Sequence, residues 1–318
     1  DRYYGLGVSF GDVDNDGDLD IYVANDATPN LLFVNQGDGT FEEMGLESGL
    51  AFNADGTEQA SMGVDLADYD NDGLPDVYIT HFSDDYSTLY HNEGNLLFKD
   101  VTGQSLIMRP EVRFVSWGTA FIDFDLDGWK DIFHANGHVF PYLIGAGQVE
   151  SFHQPQTLYL NQRNGTFKDF SQSSGPGLEV SKSSRGVAFG DYDNDGDMDM
   201  LIANLNDTPT LVRNDLRSKN HWAMFKTVGR TCNREGIGAR ISVTSGGLTQ
   251  HWEVKRAKAI YSGSDPRAHF GLGTAKKIEQ VVVRWPDGRT QSFENLSADQ
   301  HYVIDQEAGL RKQSFGVK

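Results

Sequence analysis

The chain has a single cysteine, Cys232, so no disulfide can form within it. Proline is sparse, 9 in 318 residues, while glycine reaches 35, an imbalance that favours tight turns between strands over helix bundles. No run approaches the roughly 20 apolar residues that a membrane-spanning helix needs. Positive charge is scarce over the first two-thirds: residues 1–217 carry 11 Lys+Arg against 37 Asp+Glu, a net of −26. Such a surface repels nucleic acid and anionic membranes and attracts cations. Residues 218–318 reverse the sign, with 16 Lys+Arg against 9 Asp+Glu, a net of +7. A solvated surface is the plainer reading of that excess; docking on an acidic partner, or on the acidic neighbour in the same chain, is the other. No signal peptide is visible, and the chain opens at Asp1 rather than Met, so a processed or truncated product is expected.

A hydrophobic fraction of 38% is that of a globular protein, and the length leads us to expect two domains, 1–217 and 218–318. Four segments in the first share one grammar: GVSFGDVDNDGDLDIYVAN from Gly7, GVDLADYDNDGLPDVYITH from Gly63, GTAFIDFDLDGWKDIFHAN from Gly118 and GVAFGDYDNDGDMDMLIAN from Gly186. Their first loop aspartates, Asp12, Asp68, Asp123 and Asp191, are 56, 55 and 68 residues apart. Each segment reads as a β-hairpin with the Asp-rich loop at its tip. A second hairpin follows in LLFVNQGDGTF, TLYHNEGNLLF, TLYLNQRNGTF and the shorter TLVRNDL. The third unit carries an insertion over roughly residues 137–152. Two hairpins make four strands, the content of a propeller blade, so the expected fold is all-β: four visible propeller blades and then a small β-sandwich.

The loops follow D-x-D-x-D-G-x-x-D. Carboxylates at positions 1, 3, 5 and 9 and a carbonyl at position 7 form an all-oxygen, anionic cage that suits Ca2+ better than magnesium or zinc. The expected ligands are Asp12, Asp14, Asp16, Asp18 and Asp20; Asp68, Asp70, Asp72, Leu74 and Asp76; Asp123, Asp125, Asp127, Trp129 and Asp131; and Asp191, Asp193, Asp195, Asp197 and Asp199, for about four ions. Asp18, Leu74, Trp129 and Asp197 would contribute main-chain oxygens. An EF-hand is excluded, because its position-12 glutamate is replaced by Val23, Ile79, His134 or Ile202 and the flanks are strands.

These units resemble the FG-GAP or VCBS-type repeats of integrin-α-like β-propellers. The segments NREGIGARISV from Asn233, AHFGLG from Ala268 and VVVRWPDG from Val281 resemble the ASPIC/UnbV domain that follows such repeats in the cartilage acidic protein-like family. Family members commonly have about seven blades. A missing N-terminal portion is the expected reason for four here, a ring closed by four or completed by another chain being the alternatives. The resemblance implies a calcium-binding, secreted, extracellular or periplasmic scaffold for adhesion, matrix contact or protein–protein interaction, including as a subunit of a larger assembly. It also admits a metal-dependent enzyme or accessory protein of secondary metabolism, although no residue here defines a reaction.

Other patterns are weaker. GVSFG at Gly7 fits a serine-hydrolase elbow, but Asp65, Ala120 and Ala188 fill the Ser9 slot in the other units. Asn25, His81, Asn136 and Asn204 fall in phase at the ends of equivalent strands. Strand-end turn chemistry is the plain reading of these. The sharper one is a copper or zinc site at the funnel of the propeller from His81, His134 and His138, with 137–152 as lid and His153 as an extra contact. Trp222, Trp252 and Trp285 read as core residues of the second domain.

Overall fold

A computed structural model describes residues 3–107, 113–141, 151–216 and 218–313. It is all-β apart from single helical turns, with six sheets. The first unit orders β1 (Gly5–Gly11), β2 (Asp20–Asn25), β3 (Leu31–Asn35) and β4 (Phe41–Glu43) as an antiparallel meander. The second repeats it with β5 (Ser61–Ala67), β6 (Asp76–His81), β7 (Thr88–Asn92) and β8 (Phe98–Asp100), and the third with β9 (Ser116–Ile122), β10 (Asp131–Asn136), β11 (Thr157–Asn161) and β12 (Phe167–Asp169). The fourth, β13 (Ser184–Gly190), β14 (Asp199–Asn204) and β15 (Thr210–Val212), stops at three strands. Two hairpins per unit therefore hold for three units only. After Asn214 the chain reads DLRSKNH, without the turn glycine or the Phe that opens β4, β8 and β12.

The first strands of successive units lie side by side, which explains the glycine five residues ahead of each loop. A Cβ on Gly7 would meet the carbonyl oxygen of Met62 at 2.2 Å, and one on Gly63 that of Trp117 at 1.9 Å. Apolar residues fill the space between units. Val13, Tyr22, Leu32, Val64, Val77 and Phe98 share one cluster, and Tyr69, Tyr78, Phe121, Ile132, Tyr159 and Phe167 the next.

Eight further strands form two sheets, β19 (Ala268–Gly273), β16 (His221–Val228), β22 (Gln300–Asp305), β23 (Gly309–Gln313) and β18 (Leu248–Glu253), β17 (Arg240–Ser245), β20 (Lys277–Arg284), β21 (Thr290–Ser297). Both sheets contribute to one core, from Phe225, Phe270 and Tyr302 on one side and Ile241, Val243 and Val281 on the other, with Trp252 and Trp285 inside it. This basic end docks on its acidic neighbour through a few of its cations, while most of its Lys and Arg, such as Lys226, Arg234 and Lys276, face solvent as the plainer reading expects. The segment between β18 and β19 runs along β13, where Phe189 N–H donates to Ser264 Oγ at 3.1 Å and a Cβ on Gly186 would meet the Tyr261 carbonyl oxygen at 2.9 Å.

Candidate metal centres

Each Asp-rich loop joins the first two strands of a unit, and its fourth residue takes a left-handed conformation: Asn15, Asn71, Leu126 and Asn194 have φ of 62–63°. Asparagine tolerates that region, and the glycine at position 6 continues the turn. The curl brings carboxylate oxygens within 4.8 Å of one another in Asp12/Asp14/Asp20, Asp68/Asp70/Asp76, Asp123/Asp125/Asp127 and Asp191/Asp193/Asp199. Positions 1, 3 and 9 thus converge in three loops and positions 1, 3 and 5 in the third. The position-5 carboxylates of Asp16, Asp72, Asp127 and Asp195 accept the N–H of position 7 at 2.8–3.0 Å.

The last loop aspartate does two jobs in every unit. Asp20 Oδ2 accepts Val13 N–H at 2.8 Å and its Oδ1 accepts Asn35 N–H at 2.9 Å. Asp76 does the same for Tyr69 and Asn92, Asp131 for Phe124 and Asn161, and Asp199 for Tyr192 and Asn214. That asparagine then reaches into the preceding unit. The side-chain amides of Asn92, Asn161 and Asn214 donate to the carbonyls of Val13, Tyr69 and Phe124 at 2.9–3.0 Å. One carboxylate therefore ties loop, second turn and neighbouring unit together.

Packing several carboxylates into a dry turn disfavours their charged forms. Burial first, then neighbouring aspartates, pushes Asp123 up to about 8; burial also raises Asp20 and Asp76 to about 7 and Asp68 and Asp191 to about 6. Oδ1 of Asp12 and of Asp68 is buried without a hydrogen-bond donor. A buried anionic oxygen needs a proton, a donor or a cation, so this donor set fits a hard divalent ion.

The C-terminal sheets touch all four loops. Arg284 pairs with Asp12 Oδ2, and Arg240 hydrogen-bonds Asn15 Oδ1 and the Gly73 carbonyl. Gly273 N–H donates to Leu126 O at 2.9 Å, and Arg267 donates to Asp191 O at 2.8 Å. Further in, Lys255 Nζ lies 2.9 Å from Asp65 Oδ1. Lys258 sits 3.4 Å over the Trp252 ring, its pKa lowered to about 7 by burial. These two lysines and Lys130 face a cavity of only about 40 Å³.

The histidines expected to gather do not form a group of candidate ligands. His81 is buried with Nε2 3.1 Å from Ser61 Oγ, and burial lowers its pKa to about 3. Ser116 and Ser184 make the same contact to Asn136 and Asn204 at 2.8 Å, so His81 fills an asparagine's place at a strand end. His134 stacks with Tyr78 at 5.3 Å, and His138 Nδ1 accepts Phe140 N–H. His153 is exposed, and residues 142–150 of the expected lid lie outside the described residues. Two other histidines meet loop carboxylates: His301 Nε2 lies 3.9 Å from Asp191 Oδ2, and His91 groups with Asp70 and Asp72. His91 Nδ1 is 3.1 Å from Asp76 Oδ1, and that hydrogen bond raises its pKa to about 9. The signal was its position, one residue before the second-turn asparagine; Arg213 holds the same place and lies 3.9 Å from Asp193.

Sequence comparison places these loops in a family. The FG-GAP-like repeat profile matches residues 12–79, 68–134 and 136–202, and the ASPIC and UnbV profile matches 229–311. The chain belongs to the FG-GAP-like repeat family. In the frame of FG-GAP-like repeats, the loops open the matched stretches at Asp12 and Asp68. The chain is 27% identical to human cartilage acidic protein 1 over 310 residues, 95% of this chain and 44% of that protein. The Xenopus tropicalis protein of the same name is 25% identical over the same shares. The chain thus spans less than half the length of the curated relatives it matches. Among solved structures, an Agrocybe aegerita lectin aligns over 91% of this chain and 80% of its own, at 17% identity and a TM-score of 0.37, too low to bear on the fold.

Proposed function

We propose that the four repeat sheets are blades of a calcium-stabilised β-propeller and that the protein is an extracellular scaffold for protein or matrix contact. The observation that carries this reading is the convergence of three carboxylates in each loop, with buried, donor-less oxygens on Asp12 and Asp68. Asp12, Asp14 and Asp20 and their equivalents would hold the ion. Asp16, Asp72, Asp127 and Asp195 and the carbonyls of Asp18, Leu74, Trp129 and Asp197 would complete the set. The ion supplies positive charge to loops that otherwise retain protons. Sites of this ligand type outside cells work with dissociation constants on the order of 0.1–1 mM, which fits a calcium-rich compartment.

A scaffold is preferred to an enzyme because, among the described residues, the candidate histidines and lysines are taken up by packing. His81, His134 and His138 are packed side chains, and Lys130, Lys255 and Lys258 fill the space between the inner strands and the C-terminal sheets. Similarity to cartilage acidic protein 1 over most of this chain supports a matrix setting. The test is metal content and melting temperature of native protein before and after chelation. Bound calcium with a melting temperature that falls on chelation and returns on calcium addition is expected; metal-free protein that chelator leaves unchanged would overturn the reading.

A further inference from the structure

In units one to three the outermost strand pairs through one register: Asn35 faces Phe41, Asn92 faces Phe98 and Asn161 faces Phe167. Phe167 is buried and packs 5.7 Å from the ring of Tyr69, the second loop residue of the preceding unit. Unit four keeps the asparagine and its reach-back bond, Asn214 to Phe124 O, but among the described residues no strand lies outside β15. Where the phenylalanine of such a strand would lie there is a cavity of about 470 Å³, lined by Phe124, Leu158, Leu178, Met200 and Val212. Phe124 is the counterpart of Tyr69, so the cavity sits where the repeat pattern puts the missing ring.

We propose that β15 and this cavity take an extended segment of a partner protein, added antiparallel as the fourth strand, with Phe opposite Asn214 and an acidic residue after it. Main-chain pairing supplies affinity and the pocket supplies selectivity in such edge additions. The acidic preference comes from the residue before the asparagine. In unit one Val34 faces Glu42, and in units two and three His91 and Leu160 face Lys99 and Lys168. In unit four that place belongs to Arg213, half exposed and held 2.7 Å from Asp215, which favours a carboxylate and disfavours a lysine across the strand pair. The Phe-Glu-Glu of β4 is therefore the internal template, rather than the Phe-Lys-Asp of β8 and β12. The proposal deepens the scaffold reading by naming a surface; Asp125 also lines the cavity and Arg213 lies 3.9 Å from Asp193, so the probe is used on calcium-saturated protein.

The probe is a fluorescein-labelled peptide with the sequence of residues 38–45, DGTFEEMG, titrated into the calcium-saturated full chain by anisotropy. Saturable binding is expected, at least tenfold weaker when the peptide's Phe is replaced by Ala and several-fold weaker when its first Glu is replaced by Lys. Arg213→Glu, compared with wild type at matched calcium content and melting temperature, should reverse the Glu/Lys preference. Amide exchange should slow over residues 210–214 when peptide binds. Absence of saturable binding, indifference to the Phe, or protection of β3 instead of β15 would each overturn the proposal. The calcium reading stands or falls separately, on metal content and the chelation melt.

Discussion

Asn161 reaches across a sheet boundary to give its side-chain N–H to the carbonyl of Tyr69, 3.0 Å away and 92 residues earlier in the chain. The same amide donates to Lys130 O at 3.0 Å, while its main-chain N–H is held by Asp131. Asn161→Ala removes both donations, and the acceptor for Arg163 N–H, and leaves two carbonyls in a dry interface. Each buried unsatisfied group costs about 1–3 kcal/mol. Urea unfolding of the calcium-loaded variant should therefore show a loss of about 2–4 kcal/mol. A loss within error would mean that the apolar clusters alone hold the units together.

Positions 3 and 9 of a loop should separate under mutation. Asp14 converges with Asp12 and Asp20 but accepts only the Asp16 N–H at 3.2 Å, whereas Asp20 accepts main-chain bonds from both hairpins. Asp14→Asn should lower calcium stoichiometry by one and leave the calcium-free melting temperature within a degree or so. Asp20→Asn should lower both, since its amide nitrogen must face a donor, at about 1–3 kcal/mol. Equal behaviour of the two variants in chelator would show that Asp20 has no structural part beyond the ion.

The pH dependence follows from the raised carboxylates. Asp20, Asp76 and Asp123 sit at about 7, 7 and 8 in the calcium-free fold against 3.8 when unfolded, chiefly through burial. The fold therefore binds more protons than the unfolded chain between these values, and this contribution, complete below 3.8, is lost as pH rises through 7 and 8. His81, depressed to about 3, and His251 and His269, depressed to about 4, act the other way, but only below 6.5. Between pH 6.5 and 8 the melting temperature in chelator should fall, with His91, raised to about 9, adding to the fall and Lys258, depressed to about 7, opposing it above pH 7, and saturating calcium should reduce the fall. A flat chelator profile across that window would contradict these shifts.

Lys255 tests the docking of the basic end. Its ammonium is 2.9 Å from Asp65, with side-chain exposures of 8% and 1%. Lys255→Met leaves a buried carboxylate without its cation, which costs about 3–5 kcal/mol. Adding Asp65→Asn removes that charge while keeping an acceptor for Phe121 N–H, and should recover most of the loss. If the double variant is no more stable than the single one, the lysine matters through its packing rather than its charge.

Much of the architecture was legible because it repeats. The D-x-D-x-D-G-x-x-D spacing located all four loops, and the second hairpins carry the asparagines that the last loop aspartates prove to hold. The three-strand fourth unit was less visible, since TLVRNDL begins like its siblings and differs only after Asn214, where a missing turn glycine is easily read as a shorter hairpin. The histidines left two readings open for a different reason. Phase along a strand says which side chains are equivalent, but not that a serine from the neighbouring strand already occupies them, as Ser61 does His81. Docking of the basic end was open as one reading of its charge, but its contacts were out of reach: Arg284 and Asp12 are 272 residues apart, and net charge names no contacts.

Gly186 has no fifth repeat beside it, and Tyr261 from the C-terminal sheets lies there instead. Stacked repeats are open-ended by construction, because each presents to the next the face it received from the last. Here the inner edge that β13 offers is taken by a segment of the same chain, so the basic end caps that edge.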